Sequence, residues 1–294
     1  MRRLSRDTTP PGTLIGAAAG DLTGIVHLGL GNFHRAHAAV YTAGALAAQP
    51  GDWGIYGFAN RSPDVVSAMR AQDGRYAIVE YSDHGRRVGV VDVHRNLGVV
   101  AEQRDALVAA LADPAHRILT LTVSEVGYCR SARTGTLDLD LADVRADLAD
   151  PGHPRSTVGL IARGLAVRAA QGAPITVLSC DNLQANGHAT RAVVTEFLHA
   201  SGASADVLNF VADRVSFPNS MVDRIVPATT GQTSAEVAEL IGVDDRCPVP
   251  AESFTMWVLE DDFAAGRPAW EQAGAIMSDE GHAHELVKLR LLNR

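Results

Sequence analysis

Two glycines, Gly29 and Gly31, follow the apolar run Gly24-Ile25-Val26-His27-Leu28 and precede Asn32-Phe33-His34-Arg35. Glycines at such a turn let backbone approach a pyrophosphate, so Gly29-x-Gly31-x-x-His34 reads as a degenerate dinucleotide fingerprint, with His34 where a third glycine usually stands. A plain glycine turn is the alternative. Further on, Gly57-Phe58-Ala59-Asn60-Arg61-Ser62-Pro63-Asp64 occupies the place where a carboxylate on the ribose hydroxyls favours NAD and an arginine favours NADP. Arg61 and Asp64 are both candidates, which leaves the choice open. Glu125 stands just past another apolar run, where open parallel sheets gather groups that face ligands. Asp223-Arg224 offers an acid beside a guanidinium, either at a site or as a structural ion pair anchoring the loop after Pro218. His282 and His284 lie two apart, which on a helix points them to different faces, so no metal site is expected.

Positioning these groups requires alternating strands and helices. The turn at Gly29 to His37 joins a strand from Gly24 to a helix over Ala38 to Ala48, whose residues are mostly good helix formers. A second strand fits Trp53 to Ala59, and a helix fits Pro63 to Ala71 with proline in its first turn. Arg75 to Tyr81 and Arg87 to Val93 read as a hairpin inserted into the doubly wound order. Helix Glu102 to Leu111 then leads to strand Ile118 to Val123, and residues 130–154 form a surface excursion with a short helix. Helix Thr157 to Gln171, strand Ile175 to Ser179 and helix Gly187 to His199 come next. Ser234 to Ile241 is expected as helix, Phe254 to Leu259 as extended chain and Glu280 to Leu292 as a terminal helix. The alternation predicts an α/β fold with a mostly parallel sheet covered on both faces.

The chain has 294 residues, with 34 acidic against 26 basic residues and a formal net charge of −8. With no basic block, neither nucleic acid nor an anionic membrane surface is an expected partner. Cys129, Cys180 and Cys247 are odd in number and lack C-x-x-C spacing, which speaks for a reducing, cytoplasmic location. No apolar run approaches the roughly 18 residues of a membrane span. Met1-Arg2-Arg3-Leu4-Ser5-Arg6 is followed by Asp7-Thr8-Thr9-Pro10-Pro11 in place of an apolar core, so export is not expected. Residues 1–22 are read as a loosely held arm. Of the 26 basic residues 25 are arginines, and the single lysine is Lys288. An isolated lysine near a chain end is by default a solvated charge.

Longer motifs carry a resemblance. Leu28-Gly29-Leu30-Gly31-Asn32-Phe33-His34-Arg35-Ala36-His37 resembles the N-terminal signature of the polyol-specific long-chain dehydrogenases, the mannitol dehydrogenase family. Ser179-Cys180-Asp181-Asn182-Leu183 with Asn186-Gly187 is similar to a second family motif. Phe217-Pro218-Asn219-Ser220-Met221-Val222-Asp223-Arg224-Ile225-Val226-Pro227 matches the most diagnostic one. Trp257-Val258-Leu259-Glu260-Asp261, Gly266-Arg267-Pro268-Ala269-Trp270 and Lys288-Leu289-Arg290-Leu291-Leu292-Asn293 continue in the family's order.

The resemblance implies an enlarged Rossmann-type domain over residues 23–278, binding NAD or, alternatively, NADP through Gly29, Gly31, Phe33, Arg35, Arg61 and Asp64. It implies Lys288 as the general base that takes the alcohol proton, a role open to lysine near neutral pH only if burial or nearby positive charge lowers its pKa. Asn182 and Asn293 would polarise the substrate oxygen as uncharged donors. Lys288 and Asn293 are about 140° apart on a regular helix, so a broken turn between them would help them converge. Glu125 would lie near a proton path and Asp223 near the substrate pocket, with no metal required.

The implied reaction interconverts a sugar alcohol and a ketose, as in mannitol 2-dehydrogenase, or a hexonate and a hexuronate, as in fructuronate reductase. A mannitol-1-phosphate 5-dehydrogenase and a catalytically impaired cofactor-binding fragment are the alternatives. In the family the last motif continues to a histidine three positions on and then a large helical domain. The expectation is therefore a truncated product, with residues 279–294 as the first helix of a missing substrate domain, or a chain whose C-terminal domain is encoded separately.

Overall fold

The structure is a computed structural model and describes residues 1–278. The chain begins with strands β1 (Arg2–Arg3), β2 (Leu14–Ala17) and β3 (Thr23–Leu28), then helices α1 (Asn32–Ala36) and α2 (Ala38–Ala48). Strand β4 (Gly54–Ala59), helix α3 (Asp64–Arg70) and strands β5 (Tyr76–Ser82), β6 (Gly85–Asp92) and β7 (His94–Val99) come after them. The middle comprises α4 (Arg104–Ala112), β8 (Ile118–Leu121), α5 (Ser124–Gly127), α6 (Ala142–Ala149), α7 (Thr157–Ala169), β9 (Ile175–Ser179), α8 (Asn186–Ala200), α9 (Ala205–Arg214) and β10 (Val215–Ser216). The last described part holds β11 (Ser220–Asp223), α10 (Gly231–Ile241), β12 (Val243–Asp244), β13 (Val249–Glu252), β14 (Met256–Glu260), a 3-10 turn (Trp270–Ala273) and β15 (Ile276–Ser278). These divide into two compact units, one built from residues 1–99, 222–257 and 267–276 and the other from residues 100–221, 258–266 and 277–278.

In the first unit β3, β4 and β7 run parallel in that order. Every residue of β3 after Thr23 is buried, as expected of a strand covered on both faces. The predicted hairpin is present: β5 and β6 pair antiparallel from Tyr76↔Val91 to Ser82↔Gly85. It is widened into a four-stranded sheet by β13 alongside β5 and β2 alongside β6, both parallel.

That sheet corrects the reading of residues 1–22 as a loose arm. Strand β1 pairs with β12 in parallel, β2 pairs with β6, and Leu4 is fully buried against Val90 and Val243. The buried Arg75 holds the arm from inside, donating to Thr9 Oγ1 and to the carbonyls of Ser5 and Arg6. Strand β7 is likewise absent from the sequence-based expectation, because His94-Arg95-Asn96 interrupts its apolar pattern.

In the second unit β8, β9 and β10 run parallel. All five residues of β9 and all four of β8 are buried. Helix α7 starts at an N-cap, Ser156, whose hydroxyl accepts from Gly159 N at 3.0 Å. Asp147 of α6 accepts from the backbone N–H of Ser156 and from its hydroxyl, so the acidic excursion is tied to α7. Helix α9 is a further element that the sequence pattern does not assign. The expected terminal helix from Glu280 to Leu292 lies outside the described residues.

Candidate functional site

The glycine turn of the first unit is built by two backbone bonds from the neighbouring strand. Gly29 N and Leu30 N both donate to Phe58 O, at 2.9 and 3.0 Å, and Gly31 N closes onto Gly29 O at 2.7 Å. Gly29 has φ +106°, a conformation that L side chains rarely adopt. Gly31 is different: a Cβ built there would meet only Gly29 O, at 3.7 Å, and the residue is exposed. The space over the turn is open, and a side chain would fill it. A backbone cradle kept clear by glycine is what close approach of a pyrophosphate needs, so the turn fits a dinucleotide. Arg61, just past the end of β4, and Asp64, at the start of α3, are both exposed, and the Ser62 hydroxyl donates to Asp64 at 3.2 Å.

Phe33 and Arg35 lie on α1. The Phe33 ring is half-buried and stacks on His37 at 5.1 Å. Arg35 is buried, and its guanidinium donates to Cys247 O and Asn32 Oδ1 and sits over the Tyr76 ring. It thereby holds α1 against the four-stranded sheet, a task the sequence pattern does not reveal. His34, at the position of the third fingerprint glycine, turns inward. Its ring stacks on His27 at 3.3 Å, and its Nε2 lies 3.0 Å from Nε2 of His94. Burial, reinforced by neighbouring imidazoles and Arg35, holds the pKa values of His34 and His94 well below the usual histidine range.

Arg224 resolves one open alternative. Its guanidinium pairs with Glu80 of β5 at 2.6 Å and also donates to Glu252 O and Ala36 O. It is therefore the structural anchor that one of the two readings expects, but with Glu80 as its carboxylate in place of Asp223. Asp223 ends β11, half-buried.

In the second unit the structure brings Glu125 and Asn182 together. They lie just past the C-terminal ends of the adjacent parallel strands β8 and β9, and both are exposed. Asp181 joins the two ends: Oδ2 accepts from Val123 N at 2.9 Å and Oδ1 from Ser124 N at 3.1 Å. Tyr128 Oη donates to the same carboxylate at 2.8 Å and lies 2.5 Å from Ser179 Oγ. Burial raises the Asp181 pKa, and the two N–H donors and the phenol act against it. Burial likewise raises the Tyr128 phenol, with Asp181 adding to the effect, so it stays protonated as a donor.

A second tether secures the same turn. The fully buried Asn186 donates to the carbonyls of Ser179, Asp181 and Ser220 and accepts from Ser220 N. Asn219 Oδ1 accepts from Gly187 N and His188 N at the start of α8, and Glu260 in turn holds Asn219. Gly187 cannot carry a side chain, because a Cβ would lie 2.3 Å from Phe217 O and 2.4 Å from Pro218 O. Sequence reasoning missed Asp181, Asn186 and Asn219 as structural parts of the site. The rule that picks out Glu125, a polar residue at the end of an apolar strand run, applies equally to Asp181.

Lys288, Asn293, His282 and His284 lie outside the described residues. Among the described residues no group of three or more His, Cys, Asp or Glu is arranged to hold a metal ion, and no helix is long and apolar enough to cross a membrane.

The family model described as the mannitol dehydrogenase Rossmann domain matches residues 23–272. A mannitol 2-dehydrogenase of Cereibacter sphaeroides is 42% identical over 274 residues, which are 92% of this chain and 57% of that protein. The D-mannonate oxidoreductase of Escherichia coli K12 is 36% identical over 275 residues, 92% of this chain and 56% of that one. Among solved structures, Pseudomonas fluorescens mannitol 2-dehydrogenase in ternary complex with NAD and D-mannitol superimposes with a TM-score of 0.87 at 35% identity. That superposition covers 94% of this chain and 58% of the other. The chain spans about half the length of the curated relatives it matches. Its parallel strands, its glycine turn and these similarities agree on a Rossmann-type α/β fold, and the chain belongs to the mannitol dehydrogenase family.

Proposed function

We propose that this chain binds NAD and serves a dehydrogenase that interconverts a secondary alcohol and a ketone on a polyol or a sugar acid. The observation that carries the reading is the open backbone cradle at Gly31 beside the positive-φ turn at Gly29, in a chain of this family. Gly29 and Gly31 would hold the pyrophosphate, with Phe33 beside them. Arg61, just past the end of β4, and Asp64, at the start of α3, would meet the ribose; with both charges present, NADP is the alternative cofactor. Bound NAD supplies the hydride acceptor for alcohol oxidation.

The chain's own residues would do the rest. Lys288 takes the alcohol proton as general base, which requires that its surroundings lower its pKa. Asn182 and Asn293 donate to the substrate oxygen as negative charge develops there, without trapping a permanent anion. Glu125, exposed beside Asn182, passes the proton towards solvent, and Asp223 faces the substrate. The relatives support a polyol such as mannitol and a hexonate such as mannonate as the substrates to try first.

The test is cofactor binding and turnover by the purified chain. Calorimetry with NAD and NADP measures binding, and a panel of mannitol, fructose, mannonate, fructuronate and mannitol 1-phosphate measures turnover. Lys288→Ala should keep cofactor affinity and lower kcat by about a hundredfold or more. Failure to bind either cofactor defeats the whole reading. Undiminished turnover by Lys288→Ala defeats its assignment as base, and binding without turnover assigns the chain cofactor binding alone.

A further inference from the structure

Four non-glycine residues among those described have positive φ: Asp73, Ser124, Cys129 and Ala185. Three of them belong to the two turns that carry Glu125 and Asn182. Ser124 (φ +62°) directly precedes Glu125, Cys129 (φ +52°) closes the same turn, and Ala185 (φ +47°) ends the turn that holds Asn182. Unfavourable backbone angles persist only where the surroundings over-determine them, and they gather at functional sites.

What over-determines Ser124 is the Asp181 carboxylate. Both oxygens face the turn after β8, one accepting from Ser124 N and the other from Val123 N and the Tyr128 phenol. The opposite side of Asp181 is fixed as well, since its carbonyl accepts from the buried Asn186. Each end of this clamp is one residue from a group placed in the proton path or at the substrate oxygen.

We propose that Asp181 is a positioning residue: its carboxylate locks Ser124 in the left-handed conformation and so fixes Glu125 and Asn182 relative to each other. The proposal rests on the dehydrogenase reading for what those two residues do, but the clamp itself does not depend on it. Tyr128 is the clamp's accessory donor, holding the carboxylate from the inner side. Asp181 contacts no substrate in this scheme, and its influence passes through its neighbours in the chain.

The test uses Asp181→Asn in the full chain. The amide keeps the size but offers one oxygen to three donors. Amide exchange at Val123 and Ser124 should quicken by about tenfold or more as the turn opens. With any substrate that the wild type turns over, kcat should fall by about tenfold or more while NAD affinity stays within about twofold, since misplacement of reacting groups costs rate and not cofactor binding. Glycine adopts φ +62° freely, so Ser124→Gly added to Asp181→Asn should restore most of the lost kcat.

A merely structural role would lower the melting temperature and leave kcat per folded molecule unchanged, which would overturn the proposal. Unchanged amide exchange, or a double variant no better than Asp181→Asn, would overturn it too. If Asp181→Asn does not fold, Tyr128→Phe takes its place with the same readouts and smaller expected effects. A wild type that binds NAD but turns over nothing defeats the dehydrogenase reading alone. The clamp is then decided by the Asn182 side-chain amide resonances, which should shift in Asp181→Asn and return in the double variant; resonances that do not move overturn it.

Discussion

His34 and His94 sit behind the glycine turn with their Nε2 atoms 3.0 Å apart and both rings buried. One Nε2 carries the shared proton, and the Nδ1 of each ring has no hydrogen-bond partner among the described residues. Among the described residues no carboxylate lies close enough to either ring to raise its pKa, and His27, stacked on His34, adds repulsion. Burial therefore keeps both rings neutral well below the ordinary histidine value of 6.5. This sets the sign of the pH effect. Above about pH 6.5 the rings are neutral in both the folded and the unfolded chain, and this stability is fully present. Below it the unfolded chain takes up protons that the folded chain refuses, so stability falls with a slope that steepens towards a limit of about 1.4 kcal/mol per pH unit for each ring. Denaturant melts between about pH 7.5 and 5.5 should show this decline, and His34→Phe, which keeps a ring on His27, should roughly halve the slope. A stability that is flat across that window would mean the rings are charged or solvated.

Among the elements, Arg224 ties α1 to the paired strands β5 and β13. Its side chain is fully buried, and it reaches the Glu80 carboxylate and the carbonyls of Ala36 and Glu252. Removing Arg224 leaves Glu80 only the exposed Arg87 as its counter-charge and strips the Ala36 and Glu252 carbonyls of a donor, so Arg224→Met should cost about 3 kcal/mol. The same change made together with Glu80→Gln should cost less, and equal costs would show that the pair is not the source. Glu80 was invisible from sequence because it lies 144 residues from Arg224, whereas Asp223 was conspicuous only by adjacency. The same contrast runs through the fold. Strands β3, β8 and β9 were legible because continuous apolar runs mark strands buried on both faces. Strands β2 and β7 were not, since small or polar residues interrupt them and their pairing is set by distant partners. At the candidate site Glu125 and Asn182 were legible from strand ends and motif, while Asp181, Asn186 and Asn219 act by tethering segments far apart in sequence.

Over the whole molecule, 34 carboxylates and 25 arginines share the chain with a single lysine. In a purified chain of this sequence the amines that acylation can target are the Met1 α-amine and Lys288. An ordinary lysine, with a pKa near 10.4, is almost wholly protonated and slow to acylate at about pH 7.5. A lysine that serves as a base near neutrality must have a lowered pKa, and the neutral amine that makes it a base also makes it a nucleophile. Acetylation at about pH 7.5 should thus modify Lys288 about tenfold or more faster than lysine in a model peptide of the same local sequence. Mass spectrometry separates the two sites, so loss of turnover can be set against modification at each. Turnover should fall in step with Lys288 and independently of Met1, while NAD affinity is retained, because acetylation removes the amine's basicity and leaves the glycine turn intact. NAD together with a polyol that is turned over should slow the labelling by covering the amine. Labelling at the peptide's rate, or activity that survives full acetylation, would remove Lys288 from the reaction and leave the glycine turn as a cofactor site alone.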